Sequence, residues 1–364
     1  MQDDELMEIE EETEEFIPED IVSPFDPKDI DIVAEQNSLS TIISMIEDDA
    51  IDLNTEFQRK GNLWNDTTMS QLVESILLRF PLPAFYFDAS NDEKWLVVDG
   101  LQRLWTFKKF VIDKSLILNS LLILNDFNGK GYNELNKTLK RRMDRYQVIT
   151  YLIKPGTPKR VKYDIFRRIN TGGLVLTRQE IRHVLNQGKS AKYLKKLVEN
   201  KCFEDIIRIS DKRMQARELV LRYLAFSMIH YTGYSPNFIS FLDKAMENLA
   251  NLDDKQQEQL ENNLWKALQI CQQLFGEHIF SKSIVSGKQK LNGALFEVWT
   301  TLIGELNSDE IECLLSKKHH LTRKFKSYLK KESFLKSISV SISSKSAVIR
   351  RFETVESLIK EYTS

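Results

Sequence analysis

Lys94-Trp95-Leu96-Val97-Val98-Asp99-Gly100-Leu101-Gln102-Arg103-Leu104-Trp105-Thr106-Phe107 is the stretch on which the reading of this chain turns. Trp95 to Val98 are aromatic, aliphatic and β-branched, the composition of a buried strand. The strand stops at Asp99-Gly100 and passes at once into a helix carrying Gln102 and Arg103. Such a corner is laid out for phosphate. The first N–H groups of a helix lack partners and carry partial positive charge, so anions are stabilised there. Gly100 lets a ligand approach the backbone closely, and Arg103 adds a planar, permanently charged fork that matches phosphate geometry. The same residues also fit a purely structural role, with Asp99 capping the helix and Arg103 paired to an acidic neighbour.

Outward from this corner the elements alternate. Upstream, Ser38-Leu39-Ser40-Thr41 opens a helix ending near Asp48-Asp49, and Ile51-Asp52-Leu53 forms a short strand. Asp66 is the expected N-cap of a helix in which Met69, Leu72, Val73, Ile76 and Leu77 share one face. Pro81 and Pro83 stop it. Strands over 84–87 and 95–98, joined by the polar turn Ala89 to Glu93, form a hairpin, and Tyr146 to Ile153 is a further strand. Thr177-Arg178-Gln179-Glu180 is a capping box. From about residue 190 the period is helical, over 190–200, 213–231, 236–250, 254–275, 293–305, 308–330 and 345–361. The expectation is an α+β fold. A small mixed sheet with flanking helices occupies residues 30–188, an α-helical lobe occupies 189–364, and residues 1–29 are an acidic disordered tail.

Composition narrows the function classes. No run approaches the roughly 20 apolar residues needed to span a bilayer, and the start of the chain is acidic where a secretory leader would be basic and then apolar. A cytoplasmic protein without membrane partners is expected. Cys202, Cys271 and Cys313 are widely spaced and lack a Cys-x-x-Cys pair, so neither a disulfide framework nor a structural metal is expected. His183, His230, His278, His319 and His320 are too scattered for a His-clustered one-metal nuclease, and Lys317 to His320 reads as a polar helix surface. Residues 1–20 hold eleven carboxylates and no Lys or Arg, which turns a formal net charge of −2 into a body of net +9. A basic body suits DNA. Lys140-Arg141-Arg142 and Lys192, Lys195 and Lys196 fit either phosphate contacts or solvated faces. Trp64, beside Asn62 and Asn65, fits either a base-stacking ring or a buried anchor.

The order of Phe57-Gln58-Arg59, Trp64, Leu72 to Ile76, Pro81-Leu82-Pro83 and Val97 to Leu104 resembles the N-terminal domain of GmrSD-type modification-dependent restriction systems. That family's hallmark is Asp-Gly-Gln-Gln-Arg. Asp99, Gly100, Gln102 and Arg103 match it, and Leu101 departs. Phe166-Arg167-Arg168-Ile169-Asn170-Thr171-Gly172-Gly173, with Leu176-Thr177 and Glu180-Ile181-Arg182, resembles the family's second block. Arg217 to Arg222 and Lys345 to Phe352 are similar to its helical extension.

The resemblance implies a ParB- and sulfiredoxin-like fold in a bacterial defence protein. It also implies nucleoside triphosphate binding or hydrolysis coupled to DNA sensing or cleavage. On that reading Asp99, Gln102 and Arg103 are the catalytic candidates, and Asp99 holds Mg²⁺ directly or through water. The nucleotide-binding candidates are Gln58, Arg59, Gly100, Arg103, Arg168, Asn170, Gly172 and Gly173. The loop 170–173 either closes over a ligand or is a helix C-cap. If the family's third-position glutamine positions water or a base, Leu101 leaves binding without turnover; if that position faces the core, nothing changes. Two alternatives stay open, a metal-dependent DNA endonuclease in the first lobe and a non-enzymatic adaptor. The expected partners are DNA, a separately encoded nuclease effector and further copies of the chain.

Overall fold

In the computed structural model, residues 7–10, 26, 28, 30–53, 64–169, 176–285 and 289–363 are described. The chain divides into two compact units, Pro24–Leu185 and a discontinuous one made of Met1–Ser23 with Asn186–Ser364. The fold is α+β.

Among the described residues the first strand is β1 (Glu8–Ile9), which belongs to the discontinuous unit and pairs in parallel with β7 (Lys290–Leu291). Met7 and Ile9 pack on the apolar core of that unit, while the alternate residues face lysines. Glu8 meets Lys290 and Glu10 meets Lys282, each at 2.8 Å. Thus Glu8–Ile9, expected within an acidic disordered tail, form a short strand flanked by Met7 and Glu10. Their alternation of apolar and acidic residues suits a half-buried ribbon beside basic side chains.

In Pro24–Leu185 the order is β2 (Ile32–Ser38), α1 (Leu39–Glu47), β3 (Ile51–Asp52), α2 (Asp66–Leu77), β4 (Phe85–Asp88), β5 (Trp95–Asp99), α3 (Leu101–Phe107), α4 (Lys137–Asp144), β6 (Gln147–Ile153), α5 (Lys159–Ile169) and α6 (Arg178–Leu185). The five strands form one mixed sheet in the order β2-β6-β4-β5-β3. β2 runs antiparallel to β6, β6 parallel to β4, β4 antiparallel to β5, and β5 parallel to β3. Phe85, Phe87, Val97, Val148 and Leu152 face a core shared with α1, α2 and α3. Leu96, Val98 and Ile153 face a second, smaller core with Phe166 of α5 and Ile181 and Val184 of α6.

Local signals account for most of the helix ends. Ser38 caps α1 by accepting from the Thr41 N–H at 3.1 Å. The N-cap of α2 is Asn65, which accepts from Thr68 N–H at 2.8 Å, and Asp66 is its first helical residue. This corrects the expected Asp66 cap by one position; both residues suit a helix start. The Thr177 capping box forms in full, with Glu180 N–H bonded to Thr177 Oγ1 at 3.1 Å and Thr177 N–H to Glu180 Oε2 at 2.6 Å. Within α2, the buried Glu74 carboxylate accepts three consecutive backbone N–H groups, Leu122 at 3.1 Å, Ile123 at 2.8 Å and Leu124 at 2.7 Å. Burial pushes its pKa up, but those bonds outweigh burial and leave it below the usual glutamate range.

The second unit carries α7 (Lys189–Val198), α8 (Lys201–Ile207), α9 (Gln215–Met228), α10 (Phe238–Leu249), α11 (Asp254–Phe275), α12 (Gly293–Glu305), α13 (Ser308–Ser316), α14 (Lys318–Leu329), α15 (Glu332–Ser337) and α16 (Lys345–Thr363). The segment expected as one helix over 308–330 is two, broken at Lys317. Leu264, Leu268, Phe296 and Trp299 lie in its core. Arg351 is buried there, bonded to the Glu297 carboxylate and to the Ile342 carbonyl at 2.7 Å. The three cysteines are free thiols. Among the described residues no helix is long and apolar enough to cross a membrane.

Candidate functional site

The strand-to-helix corner forms as expected, but its side chains are turned by a feature that apolar patterning does not reveal. Phe87 pairs with Val97 and Tyr86 with Asp99, so Val98 is an extra residue on β5. This bulge shifts the face on which the following side chain emerges. Asp99 thereby comes opposite Tyr86, whose ring stacks on Tyr151 of β6 with centroids 4.9 Å apart.

Gly100 follows with φ +102°, and a Cβ there would lie 2.4 Å from Phe85 Cδ1. The glycine is therefore required by the fold itself, because the Phe85 ring fills the space that a side chain would take. Leu101 is 4% exposed and part of the main sheet core. The residue that departs from the hallmark thus serves packing.

Arg103, whose fork fits either a phosphate or an acidic neighbour, turns inward. Its guanidinium lies 4.4 Å from the Phe85 ring centroid. Nη1 donates to the Pro83 carbonyl, and both Nη atoms donate to the Ala84 carbonyl at 3.3 Å. Nη2 also bonds Asp99 Oδ2 at 2.6 Å, with the two side chains 9% and 32% exposed. The bidentate shape that suits phosphate suits two successive carbonyls and a carboxylate equally well. Burial raises the Asp99 pKa above the usual aspartate range, opposed by Arg103 and by the Gly100 N–H. Burial, with Tyr151 and Asp99 nearby, likewise raises that of Tyr86.

The structure brings together Asp99, Gly100, Gln102 and Arg103. Gln102 Oε1 accepts from Trp64 N–H at 3.0 Å, tying α3 to the segment that enters α2, and Trp64 packs on the core as an anchor. Arg168 is exposed on the last turn of α5 and is not among the groups bonded to Arg103 or Asp99. Gln58, Arg59, Asn170, Gly172 and Gly173 lie outside the described residues. For Mg²⁺ the corner supplies one partly exposed carboxylate, Asp99, which suits an ion that takes most of its ligands from phosphate and water. Among the described residues no group of three His, Cys, Asp or Glu side chains is placed to hold a metal.

Two arrangements escaped sequence reading. Lys162 of α5 reaches both oxygens of the buried Asp88, at 3.0 and 2.9 Å, and also bonds Ser90 Oγ. This pair fastens α5 to the end of β4, and residues 74 positions apart carry no local signal of it. The other is a cleft of about 470 Å³ lined by Arg79, Thr138, Arg141, Arg142, Arg145, Tyr146 and Gln147. The run Lys140-Arg141-Arg142 pointed to part of it; Arg79 and Arg145 join only through the fold. In the helical unit, Leu274, Lys318, His319, Thr322, Arg323 and Lys326 line a cleft of about 380 Å³. His319 thus belongs to a basic helix face.

A search of curated proteins returned no match, and neither did a search of solved structures. The family model described as "GmrSD restriction endonuclease, N-terminal domain" matches residues 39–186. That span runs from the first residue of α1 to just past α6, with the Asp99–Arg103 corner inside it. Over residues 39–186 the chain is therefore similar to the GmrSD restriction endonuclease N-terminal domain.

Proposed function

We propose that the chain is a nucleotide-responsive, DNA-engaging regulatory component of a bacterial restriction system. The observation that carries the nucleotide part is the Asp99–Arg103 couple, one third-exposed carboxylate bonded to one buried guanidinium beside the Tyr86–Tyr151 stack. A magnesium triphosphate complements both halves of that couple. Asp99 is the residue that would hold the cation, and Arg103 has a fork for phosphate oxygens once Asp99 releases it. Bound Mg²⁺ would supply charge neutralisation on the phosphates. The stacked tyrosines offer an aromatic surface on the same side of the sheet as Asp99. Hydrolysis would require Gln102 to leave its bond to Trp64 and orient water.

Calorimetric titration with the four nucleoside triphosphates, with and without Mg²⁺, tests this reading. At least one should bind tighter than about 1 mM, and Asp99→Asn should abolish the Mg²⁺ dependence while leaving the metal-free affinity intact. Binding weaker than that by all four removes the nucleotide reading. Nicking of supercoiled plasmid with Mg²⁺ and no nucleotide would point instead to an endonuclease.

A second reading, an adaptor for a separately encoded effector, is favoured by the loop that Glu74 holds. Leu122 and Ile123 are 74% and 59% exposed, yet their backbone is pinned by that carboxylate. A rigid loop presenting large apolar side chains to solvent suits docking of a partner protein.

A further inference from the structure

The arginine cleft beside α4 has no place in the corner chemistry. α2 ends at Leu77, and Arg79 follows in a left-handed conformation, φ +64°. α4 contributes Thr138, Arg141 and Arg142, and the chain entering β6 contributes Arg145, Tyr146 and Gln147. The cleft lining contains no carboxylate.

Arginines near a helix C-terminus commonly serve the last carbonyls of that helix. Here that role accounts for one of four. Arg142 Nη1 donates to the Leu77 carbonyl at 2.8 Å, closing the end of α2. Arg79, Arg141 and Arg145 are exposed, and among the described residues none has an ion-pair or hydrogen-bond acceptor for its guanidinium. The walls are nevertheless fixed, because Arg142 is anchored and the Tyr146 hydroxyl donates to the Phe80 carbonyl at 2.5 Å. That bond fixes the Phe80 backbone next to two lining residues, Arg79 and Tyr146, and the Phe80 side chain is 50% exposed.

Three unsatisfied guanidinium forks in a concave, carboxylate-free site select an anion with several oxygens. A volume of about 470 Å³ is small for a duplex and suits one or two nucleotides. An exposed phenylalanine next to such a groove is the pairing by which single strands are held, with phosphates on arginine and a base on the ring. We infer that this cleft binds the phosphodiester backbone of a single-stranded or unpaired segment of nucleic acid, with Phe80 receiving an unstacked base. The inference rests on the DNA-engaging part of the proposed function and is independent of the nucleotide reading of the corner.

Fluorescence anisotropy of the full chain with a labelled oligothymidylate of about a dozen nucleotides, over a salt series, tests it. Arg141→Ala with Arg145→Ala leaves the Arg142 anchor in place. It should weaken single-strand binding at least about tenfold and lower the slope of log K against log salt by about 1.4. Phe80→Ala should weaken it about fivefold or more. Lys318→Ala with Lys326→Ala removes the same charge from the helical unit and should leave affinity close to wild type. The inference is overturned if the double arginine variant binds as wild type does, or if the lysine control loses as much. It is also overturned if inorganic triphosphate binds in an Arg141-dependent way while the oligonucleotide does not. A wild-type chain that binds no nucleic acid overturns both this inference and the DNA-engaging reading, and the calorimetric test of the corner then stands alone.

Discussion

Arginine is used in two opposite ways within Pro24–Leu185. Arg103, in the hallmark, is buried, stacked on Phe85 and bonded to two carbonyls and a carboxylate. Arg79, Arg141 and Arg145, outside it, are exposed around a cleft and have no such acceptors among the described residues. The first arrangement is held by protein acceptors, and the second leaves its guanidinium groups facing solvent. A conspicuous arginine in a motif thus fastens the fold in this structure, while exposed guanidinium charge stands on another part of the surface.

The strongest way to break this comparison is Arg103→Ala. It would leave the Asp99 carboxylate and the Pro83 and Ala84 carbonyls without their donor, and we expect a loss of about 3 kcal/mol in urea unfolding at neutral pH. An unchanged midpoint would mean that the inward arginine contributes nothing to the fold. Next, Gly100→Ala should cost about 2 kcal/mol, since it combines a strained positive φ with a Cβ driven into Phe85. Recovery of that loss in Gly100→Ala with Phe85→Leu would show that the ring is the cause.

Glu74 extends the contrast to carboxylates. Glu74→Gln should cost about 1.5 kcal/mol at neutral pH, because an amide cannot accept all three N–H groups. The native carboxyl titrates below the usual range. Its contribution is therefore complete above the usual glutamate range and is lost as pH falls through the native value. The gap between wild type and variant should close on acidification, and a gap independent of pH would exclude ionisation as its source. Asp99 runs the other way: its raised pKa means that acidification favours the folded state at that residue. The smallest effect is expected at the cleft, where Arg141→Ala and Arg145→Ala should each stay within about 0.5 kcal/mol of wild-type stability. A larger change in either would show a structural role and weaken the contrast.

Legibility in the sequence followed the range of the forces involved. The hairpin of β4 and β5, α2 and the Thr177 capping box are set by neighbours a few residues apart, and all could be read directly. β2 could not. Ile32 to Ser38 lies at the sheet edge, carries four polar residues among seven, and is held by pairing with β6 more than a hundred positions away. The break at Lys317 lacks glycine or proline, so nothing in the local sequence announces it. At the corner the residue set Asp99, Gly100, Gln102 and Arg103 was legible as a cluster, but its orientation was not. One bulge residue, Val98, and the Phe85 ring decide where Asp99 and Arg103 point, and both act across strands. Arg79 and Arg145 join Arg141 only after α2, α4 and β6 have packed.

The pairing of β1 with β7 bears on how the chain is made. Glu10 bonds Asn292 across 282 residues, so its docking site does not exist when it leaves the ribosome. At ordinary rates of synthesis the acidic ribbon waits roughly fifteen seconds to a minute for Lys282, Lys290 and Leu291 to emerge. The sheet unit can acquire its own core in that interval, whereas the helical unit closes over β1 only once residues 290 and 291 have emerged.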